Sequence, residues 1–304
     1  MDSLILLSIV VVTMNRREQL IEALQSCLQS KLPNKTEIII IDNHSTDGTD
    51  EAVENLFVDK NIVYTYKYLE KNKGAGGGRN EGFLLAKGKY IYFLDDDAVI
   101  SQESRDLFFI KSINLLENNS NVATLTTRIW DEMLETDRVV NVSKLKKVSG
   151  YDTISMLLGG SNFVRASAFK YPLYPDFRYG YEEIIPSFVA IDKGMYNIYF
   201  AEVSVVHRPK MNKWKKGSSQ AIDTISKENA GLLASKYLLY PSIFKPLIFA
   251  AFLARWYIHL RDHKGAFQES LRIFSDQTRG VKIKKIKYRT VLKIFREFGF
   301  GAGV

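Results

Sequence analysis

Four largely apolar runs in the first third of the chain, Leu4–Thr13, Glu37–Asp42, Ile62–Leu69 and Lys89–Leu94, alternate with segments of helical periodicity. In Ile38-Ile39-Ile40-Ile41 every position is apolar, so neither face of the strand is left for water. A strand hydrophobic on both faces belongs in a parallel sheet covered by helices on each side. Arg17–Gln29 supplies one helix, with Leu20, Ala23, Leu24, Cys27 and Leu28 on one face; Asp47–Phe57, capped near Thr46 or Asp47, and Glu81–Ala86 supply two more. Strand–helix alternation implies right-handed crossovers and predicts a Rossmann-like doubly wound α/β sheet, in which ligands bind at the carboxyl ends of the strands. Asp42 and Asp95 fall at those ends.

The later chain is less regular. Val122–Trp130 and Val203–His207 read as strands, Gly159–Arg165 as a turn and strand, and Asp131–Gly150 as a polar, acceptor-facing loop. From about Ser226 the pattern becomes helical and amphipathic, which predicts a catalytic unit over 1–225 and a helical extension over 226–304. Cys27 is the lone cysteine, excluding an intramolecular disulfide and a cysteine-based zinc cluster. The Leu4–Val12 run lacks the basic flank and cleavage site of a leader, and no stretch reaches the roughly 18 apolar residues of a spanning helix. A cytoplasmic protein is expected.

The formal net charge is +8. Much of it sits between Val281 and Arg296, where Lys282, Lys284, Lys285, Lys287, Arg289, Lys293 and Arg296 occur with no acid. Such a segment suits an anionic partner: nucleotide, phospholipid surface or nucleic acid. It carries no nucleic-acid recognition motif, so nucleic acid is not expected. Pro241–Leu260 is apolar but interrupted by Lys245, Arg255 and His259, and Trp256-Tyr257 beside Arg255 resembles a membrane-interface belt. Peripheral attachment to an anionic membrane, packing on the catalytic unit, or a homo-oligomer contact are all open to this region.

Tyr90–Asp97 carries the most chemistry. A buried strand delivers Asp95, Asp96 and Asp97 to its carboxyl end, and three adjacent acids repel one another unless a cation neutralises them. Their hard oxygens suit Mn²⁺ or Mg²⁺, which keep positions open for phosphate oxygens; an acidic turn capping the next helix is the plainer alternative. Asp42 ends the isoleucine strand where it can accept from a base or ribose. Asn72–Gly82 is glycine-rich and includes Gly76, Gly77 and Arg79, either a loop approaching a phosphate closely or a flexible surface loop. The first strand runs into Thr13-Met14-Asn15-Arg16 without a glycine, which argues against a nicotinamide enzyme. Glu182-Glu183, after Arg178-Tyr179-Gly180-Tyr181, is either a carboxylate pair tuned for proton abstraction or an acidic helix start. His207 ends an apolar strand, as a further metal ligand or as a half-buried histidine.

These features, in this order from about Ile9 to His207, resemble the inverting glycosyltransferase family 2, which has the GT-A fold. The resemblance implies that Thr13, Asn15, Arg16 and Asp42 hold a nucleotide and that Gly76, Gly77 and Arg79 flank the donor. It implies Asp95 and Asp96 at the ribose or donor sugar, Asp97 as metal ligand, and His207 as a further metal or diphosphate contact. The acid pair corresponds to the family's base motif. Here the second acid is Glu183, and Ile185 stands where a further acid is common, so the base is Glu183 or Glu182. The glycine-rich segment before a triple Asp also looks like galactofuranosyltransferases, and the helical tail like bacterial rhamnosyltransferases of cell-surface polysaccharide synthesis. The implied reaction moves galactofuranose, rhamnose, galactose or glucose from a nucleoside-diphosphate sugar to a saccharide or lipid-linked saccharide. A non-catalytic nucleotide-sugar-binding protein of the same fold is the alternative.

Overall fold

The computed structural model describes residues 5–175, 177, 180–209, 219–261 and 265–303. The first half alternates as expected: β1 (Leu7–Thr13), α1 (Arg17–Leu28), β2 (Thr36–Asp42), α2 (Thr49–Phe57), β3 (Val63–Tyr68), α3 (Gly74–Leu85) and β4 (Tyr90–Asp95). These strands are parallel, in the order β3-β2-β1-β4. The order reverses between β1 and β4, where a doubly wound sheet opens a crevice at its carboxyl edge. Register sets Thr13 beside Asp42 and Val12 beside Asp95, so the acids ending β2 and β4 share that edge.

Alternate residues of these strands feed two cores. Ile9, Val11, Ile38, Ile40, Tyr92 and Leu94 pack with α1 and α2 on one face. Val10, Ile39, Ile41, Ile91 and Phe93 pack beneath α3 on the other. This double burial is why β2 is apolar throughout, whereas β3, at the sheet edge, keeps Val63, Tyr64 and Tyr68 exposed.

Beyond β4 come β5 (Ala98–Ile100), α4 (Phe108–Asn118), β6 (Val122–Asp131), β7 (Thr136–Asp137), β8 (Val142–Val148), β9 (Tyr151–Ile154), β10 (Ser161–Arg165), α5 (Ile184–Asp192) and β11 (Tyr196–His207). The sheet becomes mixed here. β10 is antiparallel to β4 and β6, β6 is parallel to β11, and the order closes as β4-β10-β6-β11-β9-β8. The segment expected as an irregular loop, Asp131–Gly150, therefore holds β7 and β8, paired with β6 and β9.

The glycine-rich segment also departs from expectation. It is helical from Gly74 rather than a loop, and α3 lies on β1. A Cβ at Gly78 would overlap Val12 Cγ1, and one at Gly82 would overlap Val10 Cγ1. The missing side chains let helix and strand backbones approach.

The helical extension comprises α6 (Ser219–Leu239), α7 (Lys245–Leu260), α8 (Ala266–Thr278), α9 (Tyr288–Phe298) and α10 (Phe300–Gly303). Leu233, Ile248, Phe252, Val291 and Ile294 pack with Ile184, Phe188 and Ile191 of α5, so these helices sit on the strand-bearing part. Among the described residues no helix is long and apolar enough to cross a membrane. The interfacial belt expected in α7 is only partly formed. Arg255 donates to Asn229 Oδ1 at 2.6 Å and to the Tyr181 hydroxyl at 3.3 Å, and the Trp256 ring lies 4.7 Å from that of Phe267. Both turn inward, while Tyr257 and Ile258 stay exposed. The side chain of His259 is outside the described ones.

Gly82→Ala tests the seating of α3. Alanine would ordinarily stabilise a helix by up to about 1 kcal/mol. Overlap with buried Val10 costs about 1–3 kcal/mol and is expected to win, lowering the denaturation midpoint. Val10→Ala with Gly82→Ala is expected to cost less than the two single changes added together. A Gly82→Ala midpoint at or above wild type would refute the close contact.

Candidate active site

The crevice between β1 and β4 gathers the three acids. Thr13, at the end of β1, donates from Oγ1 to Asp96 Oδ2 at 2.8 Å. Arg16 Nη1 reaches Asp96 Oδ1 at 2.9 Å and Asp97 Oδ2 at 2.7 Å, partly neutralising the cluster. Burial pushes the Asp96 carboxyl up to about 6 against the pull of Arg16. Burial acts the same way on Asp97, but His207 and Arg16 outweigh it and bring that carboxyl down to about 2.

His207 arrives by strand register. β11 pairs with β5 and β6, setting His207 beside Ala98 and Asp131. Its Nε2 lies 3.3 Å from Asp97 Oδ1, and its Nδ1 lies 3.0 Å from Asp131 Oδ2. Asp97 and His207, 110 residues apart in the chain, thus bring one carboxylate and one imidazole together. Among the described residues no group of three or more metal-type side chains forms a protein-only cage. That set, one carboxylate and one imidazole with an outer carboxylate orienting the histidine, fits a divalent cation.

The second half of the site is joined to the first by Arg79. Its Nη2 reaches Asp95 Oδ1 at 2.7 Å, and its Nη1 reaches Glu182 Oε1 at 3.2 Å and Glu183 Oε1 at 3.4 Å. Arg79, expected beside the donor, is therefore committed to three carboxylates. Burial, reinforced by Glu182, pushes the Glu183 carboxyl up to about 8 despite Arg79. Glu183 immediately precedes α5, at the acidic helix start in the sequence, but its side chain makes no capping bond and turns instead to Arg79. Arg178 and Tyr179, just before the pair, lie outside the described residues.

Gly159 and Gly160 floor the space between the two halves. A Cβ at Gly159 would stand 2.9 Å from Glu183 Oε1. Gly160 has φ +118°, a backbone conformation that favours glycine.

The residues expected at the nucleotide are placed as follows. Asn15, at φ 51°, accepts from the Thr46 amide at 2.8 Å through Oδ1, tying the loop after β1 to the loop after β2. Asp42 is buried and both its oxygens are engaged: Oδ1 accepts from the Ser45 amide at 2.7 Å and Oδ2 from the Tyr66 hydroxyl. Burial and Asp42 together raise Tyr66 far above a free phenol. Gly76 and Gly77 lie buried within α3, and a Cβ at Gly76 would come 3.1 Å from the Pro175 carbonyl. Asp47 does not cap α2; Gly48 takes that place, and Asp47 accepts from the Arg17 amide at 3.0 Å.

Several positioning residues escape a sequence reading. Asn80 Oδ1 accepts from the amides of Leu173 and Tyr174, both at 2.9 Å, and its Nδ2 donates to the Tyr174 carbonyl at 3.0 Å. That clamp brings the segment before Glu182 onto α3. Asn43 Nδ2 donates to Asn72 Oδ1 at 2.9 Å and to the Gly74 carbonyl at 3.0 Å, fixing the start of α3. Asp131 and Arg138 at His207 were also missed. Each is a single polar residue whose partners lie far along the chain, so no local spacing singles it out.

The sequence profile of Glycosyl transferase family 2 matches residues 8–169, more than half of the chain. An uncharacterized glycosyltransferase of Haemophilus influenzae is 30% identical over 154 residues, 51% of this chain and 58% of that one. The UDP-Glc:alpha-D-GlcNAc-diphosphoundecaprenol beta-1,3-glucosyltransferase WfaP of Escherichia coli is 32% identical over 118 residues, 38% of this chain and 45% of that one. The chain thus spans about half the length of these relatives. In three dimensions it matches GalNAc-T7, solved with UDP, GalNAc and Mn²⁺, with a TM-score of 0.65 at 14% identity, covering 91% of this chain and 57% of that one. That likeness bears on the fold, which is GT-A with a helical extension. With its profile match, its sheet order and the acids at its carboxyl edge, the chain belongs to glycosyl transferase family 2.

Proposed function

We propose that this protein transfers a hexosyl or deoxyhexosyl unit from a nucleoside-diphosphate sugar to a saccharide or lipid-linked saccharide, with inversion, in cell-surface glycan synthesis. The observation that carries this reading is the bridge from Asp95 through Arg79 to Glu182 and Glu183. It sets an unusually basic carboxylate on one side of the Gly159-Gly160 floor and the Asp97–His207 pair on the other. The division into a catalytic unit, 1–225, and an extension, 226–304, belongs to the same reading, as does action at the inner face of the plasma membrane. WfaP, named for a UDP-glucose donor and a diphosphoundecaprenol acceptor, and GalNAc-T7, with its UDP and Mn²⁺, support the substrate class and the cation.

In this mechanism Glu183 takes the proton from the acceptor hydroxyl, whose oxygen attacks the anomeric carbon from the face opposite the diphosphate. The C–O bond to the diphosphate breaks, and its electron pair leaves with the nucleoside diphosphate. Arg79 holds Glu183 in place and keeps Asp95 aimed at the sugar. Asp97 and His207 would hold Mn²⁺ or Mg²⁺, which when bound offsets charge on the leaving diphosphate. Thr13 and Arg16 fix Asp96 behind them.

The membrane reading rests on surface chemistry. Tyr257 and Ile258 of α7 and Tyr288 and Leu292 of α9 are exposed, and Lys282, Lys284, Arg289 and Arg296 lie exposed in or before α9. Exposed bases near anionic lipid contribute roughly 1 kcal/mol each. Lys285 and Lys287 are less available, since they donate to the Tyr240 carbonyl at 2.9 Å and the Asp192 carbonyl at 3.2 Å.

Three outcomes are expected. Asp97→Asn abolishes transfer and leaves the melting temperature near wild type; full transfer by this variant, or by wild type in excess chelator, would exclude the cation mechanism. Glu183→Gln lowers turnover by about 10²-fold or more with nucleotide affinity little changed. Because a base must be deprotonated and this carboxyl lies near 8, kcat/KM of wild type should rise with pH up to about 8. The same loss in Glu182→Gln but not in Glu183→Gln would move the base by one residue. Co-sedimentation with vesicles containing phosphatidylglycerol should retain the protein at low salt and release it at high salt. A protein that stays in the supernatant at low salt refutes the membrane reading.

A further inference from the structure

The helical extension meets the turn before Glu182 and Glu183 at a polar cluster that the transfer mechanism does not use. A Cβ at Gly180 would stand 3.2 Å from Glu228 Cα, so α6 lies against that turn. Asn229, the next residue of α6, accepts from Arg255 Nε at 2.6 Å through Oδ1. That bond fixes the amide orientation and leaves Nδ2 buried without a partner. Arg255 is half-buried, and its Nη2 donates to the Tyr181 hydroxyl at 3.3 Å. Its Nη1 has no partner among the described residues. Lys236, two turns beyond Asn229 on the same face of α6, is 2% exposed and makes no hydrogen bond or ion pair among them.

The cluster therefore holds a surplus of donors and of positive charge. Burial and the neighbouring Arg255 bring the Lys236 ammonium down to about 7. Glu228 does not compensate: burial outweighs Arg255 and, with Glu182, pushes its carboxyl up to about 7, and it forms no ion pair with either cation. Buried donors without acceptors and cations without counter-charge are costly. A phosphate-type anion satisfies them together, because its oxygens accept from guanidinium, ammonium and amide alike. Tyr181 stands two residues before Glu183, which puts this anion site beside the acceptor hydroxyl rather than at Asp97 and His207. Ile258, one turn on from Arg255, is apolar and exposed, which favours an anion that carries a lipid.

We propose that Lys236, Arg255 and Asn229 form an acceptor subsite for the diphosphate of a lipid-linked saccharide, seating the saccharide hydroxyl at Glu183. The inference rests on the proposed transfer reaction and narrows its acceptor to one that carries phosphate.

Geranyl diphosphate, geraniol and inorganic pyrophosphate are titrated by calorimetry in excess chelator, which disables a cation-dependent donor site; UDP is titrated separately in Mn²⁺. Wild type should bind geranyl diphosphate about tenfold or more tighter than geraniol. Lys236→Met should weaken geranyl diphosphate by about tenfold, leave UDP unchanged and melt no lower than wild type, since it removes an unpaired buried cation. Asn229→Asp puts a carboxylate oxygen where Nδ2 stands. It should raise the melting temperature by supplying the missing counter-charge, and weaken geranyl diphosphate by about tenfold or more. Stability and affinity thus move in opposite directions, whereas general damage lowers both. Geranyl diphosphate affinity unchanged in Lys236→Met, or a melting temperature well below wild type in that variant, overturns the subsite. Pyrophosphate bound as tightly as geranyl diphosphate overturns the lipid-linked assignment in favour of a free anion. Loss of binding to phosphatidylglycerol vesicles in Lys236→Met overturns it in favour of a bilayer headgroup. If wild type binds UDP but not geranyl diphosphate, the subsite alone fails; if it binds neither, the transfer reading fails with it.

Discussion

The site is held together by one buried cation. Arg79 projects from α3 to three carboxylates, Asp95 at the end of β4 and Glu182 and Glu183 at the start of α5. Removing it would leave those acids in a crevice where water cannot shield them, and buried charge without a partner is strongly destabilising. The rest of the architecture reads as support for that contact. Gly78 and Gly82 seat α3 on β1, Asn80 ties α3 to the segment leading into α5, and the apolar face of α5 is covered by the helical extension.

This arrangement also divides the electrostatic labour. On one side burial dominates and leaves Glu183 basic enough to take a proton. On the other, Arg16 and His207 dominate and keep Asp97 ionised. The two environments meet at the end of β4, where Asp95 reaches Arg79 and Asp96 and Asp97 reach Arg16. A carboxylate that accepts protons and one that holds charge are what proton abstraction and leaving-group stabilisation separately need.

The extension is tied to the site as well as to the core. Arg255 of α7 reaches the Tyr181 hydroxyl, two residues before Glu183, and Ser235 of α6 donates to the Tyr181 carbonyl at 2.9 Å. The segment carrying Glu182 and Glu183 is thus pinned from both the sheet side and the helical side. An extension that served only as a surface anchor would have no need of these contacts.

The sequence alone determined the doubly wound half of the sheet and the acids at its edge. Both follow from local pattern: strands apolar on two faces, helices between them, and carboxylates at strand ends. It also identified Glu182-Glu183 and His207, whose positions next to the acids depend on pairing it could not display. What only the tertiary structure decided are relations between distant segments. The glycine-rich segment read as a loop because a close helix–strand contact, as at Gly78 and Gly82, and a flexible loop call for the same residue. The bridge that Arg79 makes to three carboxylates was not legible, because its partners lie 16 and more than 100 residues away. Arg138 had no signature at all. Its contact with His207 depends on β11 carrying that histidine to the end of β6, a register set by long-range pairing rather than by any neighbouring residue.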